Sequence, residues 1–198
     1  MYKIFLTKFV KKYIIYLNSL ISKIKGEKII MMMPIKFDKE QIKKEVEEFR
    51  GDFKSVILGT KSKNGDVDVT YAPYLDFQGE GYIYISEIGD HFDNLKDNPQ
   101  FEIMFLQDEK DAASVLVRKR LRYNVIAEFQ ERDEKFNTIL DSFEEKVGEG
   151  MKVVRKMQDF HLVKLNIVNG RFVKGFGQAY NLKDGDVVQM TGDKKSHR

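Results

Sequence analysis

The sequence predicts a mainly β domain, a small antiparallel barrel with helices at its edge. Three observations predict it. β-rich runs recur at short spacing between residues 55 and 182. Asn64-Gly65 and Asn169-Gly170 supply hairpin signals, because both residue types tolerate positive φ. Helical periodicity is confined to a few segments between those runs. Strands so closely spaced, with hairpins and few helices, suit a barrel closed on itself.

In chain order, "FDKEQIKKEVEEFRGDF" predicts a helix capped by Asp38, with Gln41 three residues on. Ile42, Val46 and Phe49 form its buried stripe, and Gly51 is expected to end it. "SVILGTKSKNGDVDVTYAPYLDF" predicts two strands around Asn64-Gly65. "GYIYISEI" alternates, with Tyr82, Tyr84 and Ser86 on one face and Ile83 and Ile85 on the other. "DHFDNLKDNP" is a short helical link stopped by Asn98-Pro99. "QFEIMFLQD" and "SVLVRKRLRYNVIAEFQE" are further strands. "ERDEKFNTILDSFEEKVGEGMKVVRKMQ" is one helix, or two broken near Gly148 and Gly150; Phe136, Ile139, Leu140 and Phe143 supply its apolar face. "DFHLVKLNIVNGRFVKGFGQAYNL" is expected to turn at Asn169-Gly170, and the residues beyond it read as polar tail. The organisation expected is an extension over 1–33, a barrel domain over 34–182 and a tail over 183–198.

Charge divides the chain unevenly. Residues 1–28 hold seven Lys and one Glu, although the whole chain carries only +3. The remainder is therefore mildly acidic, which argues against nucleic acid as a partner. In the extension, Leu6, Phe9, Tyr13, Leu17, Leu20 and Ile24 share one helical face. Lysines break each apolar run short of the ~20 residues a membrane span needs. Three readings stay open for it: weak contact with a membrane surface, packing on the body, or residues upstream of a start at Met31, Met32 or Met33. No small-residue cleavage site follows, and there is no cysteine. Both fit a reducing, cytoplasmic setting.

The absence of cysteine excludes thiolate metal sites and thiol nucleophiles. No phosphate-loop, nucleophile-elbow or zincin motif occurs. Gly175 and Gly177 lie in a strand pattern and open no helix, so they read as a bulge or a close approach by a ligand or another backbone. There are three histidines. His91 reads as solvated or capping. His161, on the face of Val163, Leu165 and Ile167, reads as packed and hydrogen-bonded. His197 sits in the polar tail "TGDKKSHR". In "VRKRLRY", Arg118, Arg120 and Arg122 share one strand face, with Lys119 and Leu121 on the other. That cluster is either a solvated exterior or a clamp for phosphate or carboxylate.

Four stretches stand together in order: "SVILGTKSKNGDVDVTYAPY", "YIYISEIGDHFDNLKDNP", "RKRLRYNVIAE" and "GRFVKGFGQAY". Over residues 40–198 the chain resembles the pyridoxamine 5′-phosphate oxidase-like split-barrel superfamily. Within it, the chain is similar to the HugZ/HutZ-type haem oxygenase (haem utilisation) family. The resemblance implies an FMN-binding split-barrel-like fold, a homodimer, and ligand sites at the subunit interface. It implies haem b as substrate and cofactor, an electron donor as partner, and ring opening with O₂ that releases iron. It implies His197 as the iron ligand and Asp159 as the group that holds its imidazole. It places Arg118 or Arg120, with Lys119, near the haem propionates, and Phe172 and Phe176 are candidates to cover the disc. An FMN-dependent oxidoreductase, with the basic strand on the flavin phosphate, and a non-catalytic haem carrier are the alternatives.

Overall fold

Antiparallel pairing closes the barrel that the alternating strands predict. The computed structural model describes residues 37–175 and 177–190. Its strands are β1 (Ser55–Lys61), β2 (Val67–Phe77), β3 (Glu80–Ser86), β4 (Gln100–Leu106), β5 (Arg120–Phe129), β6 (Phe160–Gly175), β7 (Gln178–Lys183) and β8 (Asp186–Gln189). Their order is β3-β2-β1-β4-β5-β6-β7-β8, and β3 also pairs with β6. Six strands therefore form a closed barrel, and β7 and β8 extend the sheet beyond it.

Among the described residues four α-helices flank the sheet: α1 (Lys39–Gly51), α2 (Asp90–Asp97), α3 (Glu134–Val147) and α4 (Gly150–Val154). Asp38 caps α1 by accepting from the amides of Glu40 and Gln41. Ile42 and Val46 are buried, and Phe49 packs at 5.7 Å from Phe172. The helix end differs from expectation: Gly51 stays helical and Asp52 is the C-cap, with φ −69°. The segment over 131–158 is two helices, parted at Gly148, whose φ of +106° suits glycine.

Both faces of β3 are covered, so its alternation separates two cores instead of core from solvent. Ile83 and Ile85 lie opposite Val163 and His161 of β6. Tyr82, Tyr84 and Leu162 instead pack with Phe136, Ile139, Leu140 and Phe143 of α3 and with Met151 of α4. That second layer buries aromatic rings on the outside of the barrel wall.

The two Asn-Gly signals meet different fates. Asn64-Gly65 lies in the five-residue loop between β1 and β2, where Gly65 alone has positive φ, +94°. Asn169-Gly170 makes no turn, because β6 runs straight through it. Gly170 is required there by proximity: a Cβ would lie 2.4 Å from the Tyr123 ring and 2.9 Å from the Arg122 carbonyl. A register shift at Asn124/Val125 marks the same place on β5. The chain reverses instead after Gly175, with Gly177 at φ +68°. A further hairpin follows at Asp184-Gly185, where both φ values are positive, as a two-residue loop between twisted strands demands. The sheet thus continues to Gln189, through a stretch that reads as polar tail in sequence.

The segment before β5 also differs. Val115–Val117 is a 3₁₀ turn, capped by the Ser114 hydroxyl on the Leu116 amide, and the strand begins only at Arg120. Arg118 therefore does not share a strand face with Arg120 and Arg122. Among the described residues no helix is long and apolar enough to cross a membrane. The whole extension over 1–33 lies outside them.

Candidate functional site

The barrel's outer face carries the clearest chemical pattern. Strand pairing links one row across six strands: Tyr71, Ile57, Met104, Arg122, Arg171 and Asn181. Its first three residues are apolar, and the next two, Arg122 and Arg171, are cationic. Val67 and Val69 extend the apolar half along β2, and with Tyr71 they are 68–76% exposed. Isolated exposed apolar residues mean little, but a stripe on one strand face marks an interaction surface. Arg120 lies one step along the cationic half, opposite Val173.

A cavity of 240 Å³ opens there, between Arg118, Arg120, Arg171, Leu116, Gly175 and Gly177. The three arginines are not equivalent. Arg118 is largely spent: its Nε donates to the Gln107 carbonyl at 2.7 Å, and its Nη1 meets Glu109 at 3.0 Å. Arg120 makes one long bond, from Nη1 to the Arg118 carbonyl at 3.4 Å. Arg171 is exposed and has no hydrogen-bond or ion-pair partner among the described residues. Of the cations in the row, only Arg122 is paired, with Glu102 at 3.5 Å. Arg120 and Arg171 are thus free to grip a carboxylate or phosphate bidentately. Lys119 lines a second cavity, of 550 Å³, together with the apolar half of the row, Tyr71, Ile57 and Met104.

Asp159 stands at the other end of β6. Its Oδ2 accepts from the Ser86 hydroxyl at 2.9 Å, and its carbonyl accepts from the Glu87 amide at 2.9 Å. Nearby, His161 Nε2 meets Glu87 at 2.7 Å, and its ring packs at 4.9 Å from Phe92 and 6.1 Å from Phe129. That is the packed, bonded histidine the apolar face predicts. His91 is half-buried, and burial lowers its pKa despite the nearby Asp68 and Asp90 carboxylates.

Among the described residues, Asp159 and the basic cluster around Arg118 and Arg120 do not converge within one chain. Phe172 belongs to the core, 1% exposed and stacked on Tyr180. Its inward direction follows from alternation beside the outward Arg171. Phe176 and His197 lie outside the described residues. Among the described residues no group of three His, Asp or Glu side chains could hold a metal ion. Arg171 is the residue that sequence reasoning missed. Its signal lies in "GRFVKG", but it emerges only when β6 is read as unbroken, which puts Arg171 opposite Arg122.

The fold and the pattern of this face define a split-barrel ligand-binding protein, and comparison with known proteins agrees. The chain belongs to the pyridoxamine 5′-phosphate oxidase family, whose model matches residues 42–174. It is 36% identical to heme oxygenase HutZ of Vibrio cholerae, over 80% of this chain and 90% of that one. The structure of Campylobacter jejuni ChuZ is 50% identical, with a TM-score of 0.78, and the match covers 82% of this chain and 67% of that one. A structure of Vibrio cholerae HutZ, there described as a heme storage protein, matches at 36% identity with a TM-score of 0.62. That match covers 66% of this chain and 93% of the other.

Proposed function

We propose that this protein binds haem between two copies of itself and opens the porphyrin with O₂ and reductant, releasing iron. The observation that carries the reading is the row from Tyr71 to Arg171, three apolar residues followed by two cationic ones. Haem has the same division: an apolar disc bearing two carboxylates on one edge. The disc suits Tyr71, Ile57 and Met104, and the propionates suit Arg120 and Arg171. The relative named heme oxygenase supports the same assignment.

His197 is the proposed iron ligand. His197 would be the one protein ligand to the iron, and bound haem would supply the oxygen chemistry. Asp159 would accept the other imidazole N–H, fixing its tautomer and raising its basicity. Chain length supports two copies. Met190 bonds the Ala179 carbonyl, opposite Val173, so the tail leaves the sheet beside the arginines. Seven residues span at most ~25 Å from there. Fourteen positions separate Asp159 from Val173, an upper limit of roughly 45 Å if β6 were straight. In one chain Asp159 and the departure point of the tail belong to opposite ends of β6, a separation that a partner's Asp159 does not impose. The exposed stripe Val67, Val69 and Tyr71 gives that partner an apolar face to cover. The chain supplies ligation, orientation and the cationic grip.

Absorbance titration with haemin, then ascorbate in air as electron donor, tests this. The reading expects a Soret band saturating near one haem per chain, then decay with release of chelatable iron. His197→Ala should lose the axial ligand; an unchanged spectrum in that variant contradicts the assignment. A Soret band that stays stable under ascorbate would favour storage or carriage instead, which the description of one relative suggests. Yellow protein binding FMN and no haem would favour the flavin-dependent alternative.

A further inference from the structure

A third cavity, of 680 Å³, lies between α1, the middle of β6 and the β7–β8 hairpin. Among the described residues it shares no lining side chain with the two cavities beside the outer row. The bulge on β6 builds one wall. Val125 pairs with Ile167 and Asn124 with Asn169, so Val168 is the extra residue. A bulge breaks alternation and re-aims side chains. Ile167 and Val168 are thus both exposed on the cavity, and Leu182 of β7 continues the apolar lining. Lys39 Nζ meets Asp186 Oδ1 at 2.8 Å, which ties the start of α1 to the start of β8. At the other end of α1, Arg50 lines the same cavity, with its side chain only 12% exposed. One end of its guanidinium is committed. Nη2 meets Asp76 Oδ2 at 2.5 Å, and Asp76 Oδ1 accepts from the Gly79 amide at 3.1 Å. Arg50 Nε is buried and has no hydrogen-bond partner among the described residues. A buried donor without an acceptor is costly, so it marks a place where an acceptor belongs. Tyr123, also buried, lines the cavity beside it. Burial pushes the Tyr123 phenol up to about 12, against the pull of the Arg50 guanidinium, so the hydroxyl keeps its proton. The corner therefore holds two donors beside aliphatic walls.

We infer that this cavity is a second ligand site, for a compact apolar molecule bearing one carboxylate. The acid takes the Arg50–Tyr123 corner, and the apolar body lies on Ile167, Val168 and Leu182. The volume falls within the roughly 300–1,000 Å³ of small-molecule sites. The lining carries charges of both signs, Lys43 and Lys183 with Glu47 and Asp184. Net charge therefore does not select the ligand, and the buried donors do. An ammonium in the same corner would meet two donors instead of acceptors. The inference does not depend on haem. The sequence conceals the site, because a turn at Asn169-Gly170 would remove the paired strand whose bulge builds the wall.

The probe is 2-naphthoate, an aromatic monocarboxylate, titrated by calorimetry into the full-length chain with and without saturating haemin. Binding of one equivalent per chain is expected in both. Methyl NMR of the wild-type protein locates the site: the Ile167, Val168 and Leu182 signals should shift while Ile57, on the outer row, stays in place. Tyr123→Phe removes one donor and should weaken binding about tenfold, the effect of one hydrogen bond to a charged group. Val168→Trp should fill the cavity and abolish binding. 2-Naphthylmethylamine, the ammonium counterpart, should not bind. Absence of saturable binding overturns the inference. So do shifts at Ile57 in place of Ile167, displacement by haemin, equal binding of the amine, or undiminished affinity in either variant. Circular dichroism melting checks that each variant folds, and the wild-type methyl shifts keep the test decisive if Tyr123→Phe does not.

Discussion

The two ends of β6 differ in how their polar groups are satisfied. At the Asp159 end, Ser86 holds a carboxylate, Glu87 holds His161, and Arg132 donates to the carbonyls of Met157 at 3.0 Å and Phe160 at 2.8 Å. At the Arg171 end, Arg171 is unpaired among the described residues and Arg120 makes one long bond. The first end is built to hold a shape. The second keeps two like charges facing outward, a poor arrangement for the isolated fold and a good one for an acidic ligand. The contrast shows where geometry is internal and where it waits for something else.

Between these ends the strand separates core from outer face residue by residue, and the largest expected effect tests that separation. Phe172→Ala should cost about 3–5 kcal/mol, as large core truncations do. It should lower Tm, and whatever protein remains folded should keep the wild-type Soret position. A shifted band at unchanged Tm would place Phe172 on the ligand instead. Gly170→Val tests the strand's unbroken middle. The new side chain strikes the Tyr123 ring and should cost about 1–3 kcal/mol of stability, read as a lower midpoint in urea. An unchanged midpoint would mean that the chain turns at Asn169-Gly170 after all.

Arg171→Ala probes the waiting end. It should leave Tm nearly unchanged and weaken haemin binding about tenfold, equivalent to one lost hydrogen bond to a charged group, about 1.5 kcal/mol. A drop in Tm without loss of affinity would reverse the comparison. The smallest effect lies in acid. Lys164, Tyr82 and Lys135 hold the Glu80 carboxyl at about 2, with Lys164 contributing most. A lowered carboxyl stabilises the fold above its ordinary value of 4.5 and loses that contribution as pH falls toward 2. Glu80→Gln should flatten the loss of stability over that range, measured by melting at stepped pH.

Much of the fold was legible because its signals were local. Asp38 caps α1 as its side chain predicts, and Gly148 breaks the helical segment at its positive φ. The apolar residues of α3 are readable from period alone and are buried. What failed were signals with two physical meanings. Asn169-Gly170 has the chemistry of a turn, but glycine also permits close approach, and Tyr123 decides between them only in three dimensions. Lys183-Asp184-Gly185 reads as polar tail until β8 pairs with β7. The site was legible in part. The basic cluster was recognisable, but local alternation could not show that Arg118 is consumed by Gln107 and Glu109 or that Arg171 joins from another strand. The Ser86–Asp159 bond joins residues 73 positions apart, beyond any local pattern.

The proposal that the site is assembled from two copies is tested most directly by mixing defective copies. His197→Ala and Asp159→Ala variants would each be purified, mixed under mild denaturant, refolded together and titrated with haemin. If His197 of one copy meets Asp159 of the other, each mixed dimer regains one intact site, and about a quarter of all sites should show the wild-type spectrum and decay under ascorbate. If both residues served the same chain, every site would remain defective and mixing would restore nothing.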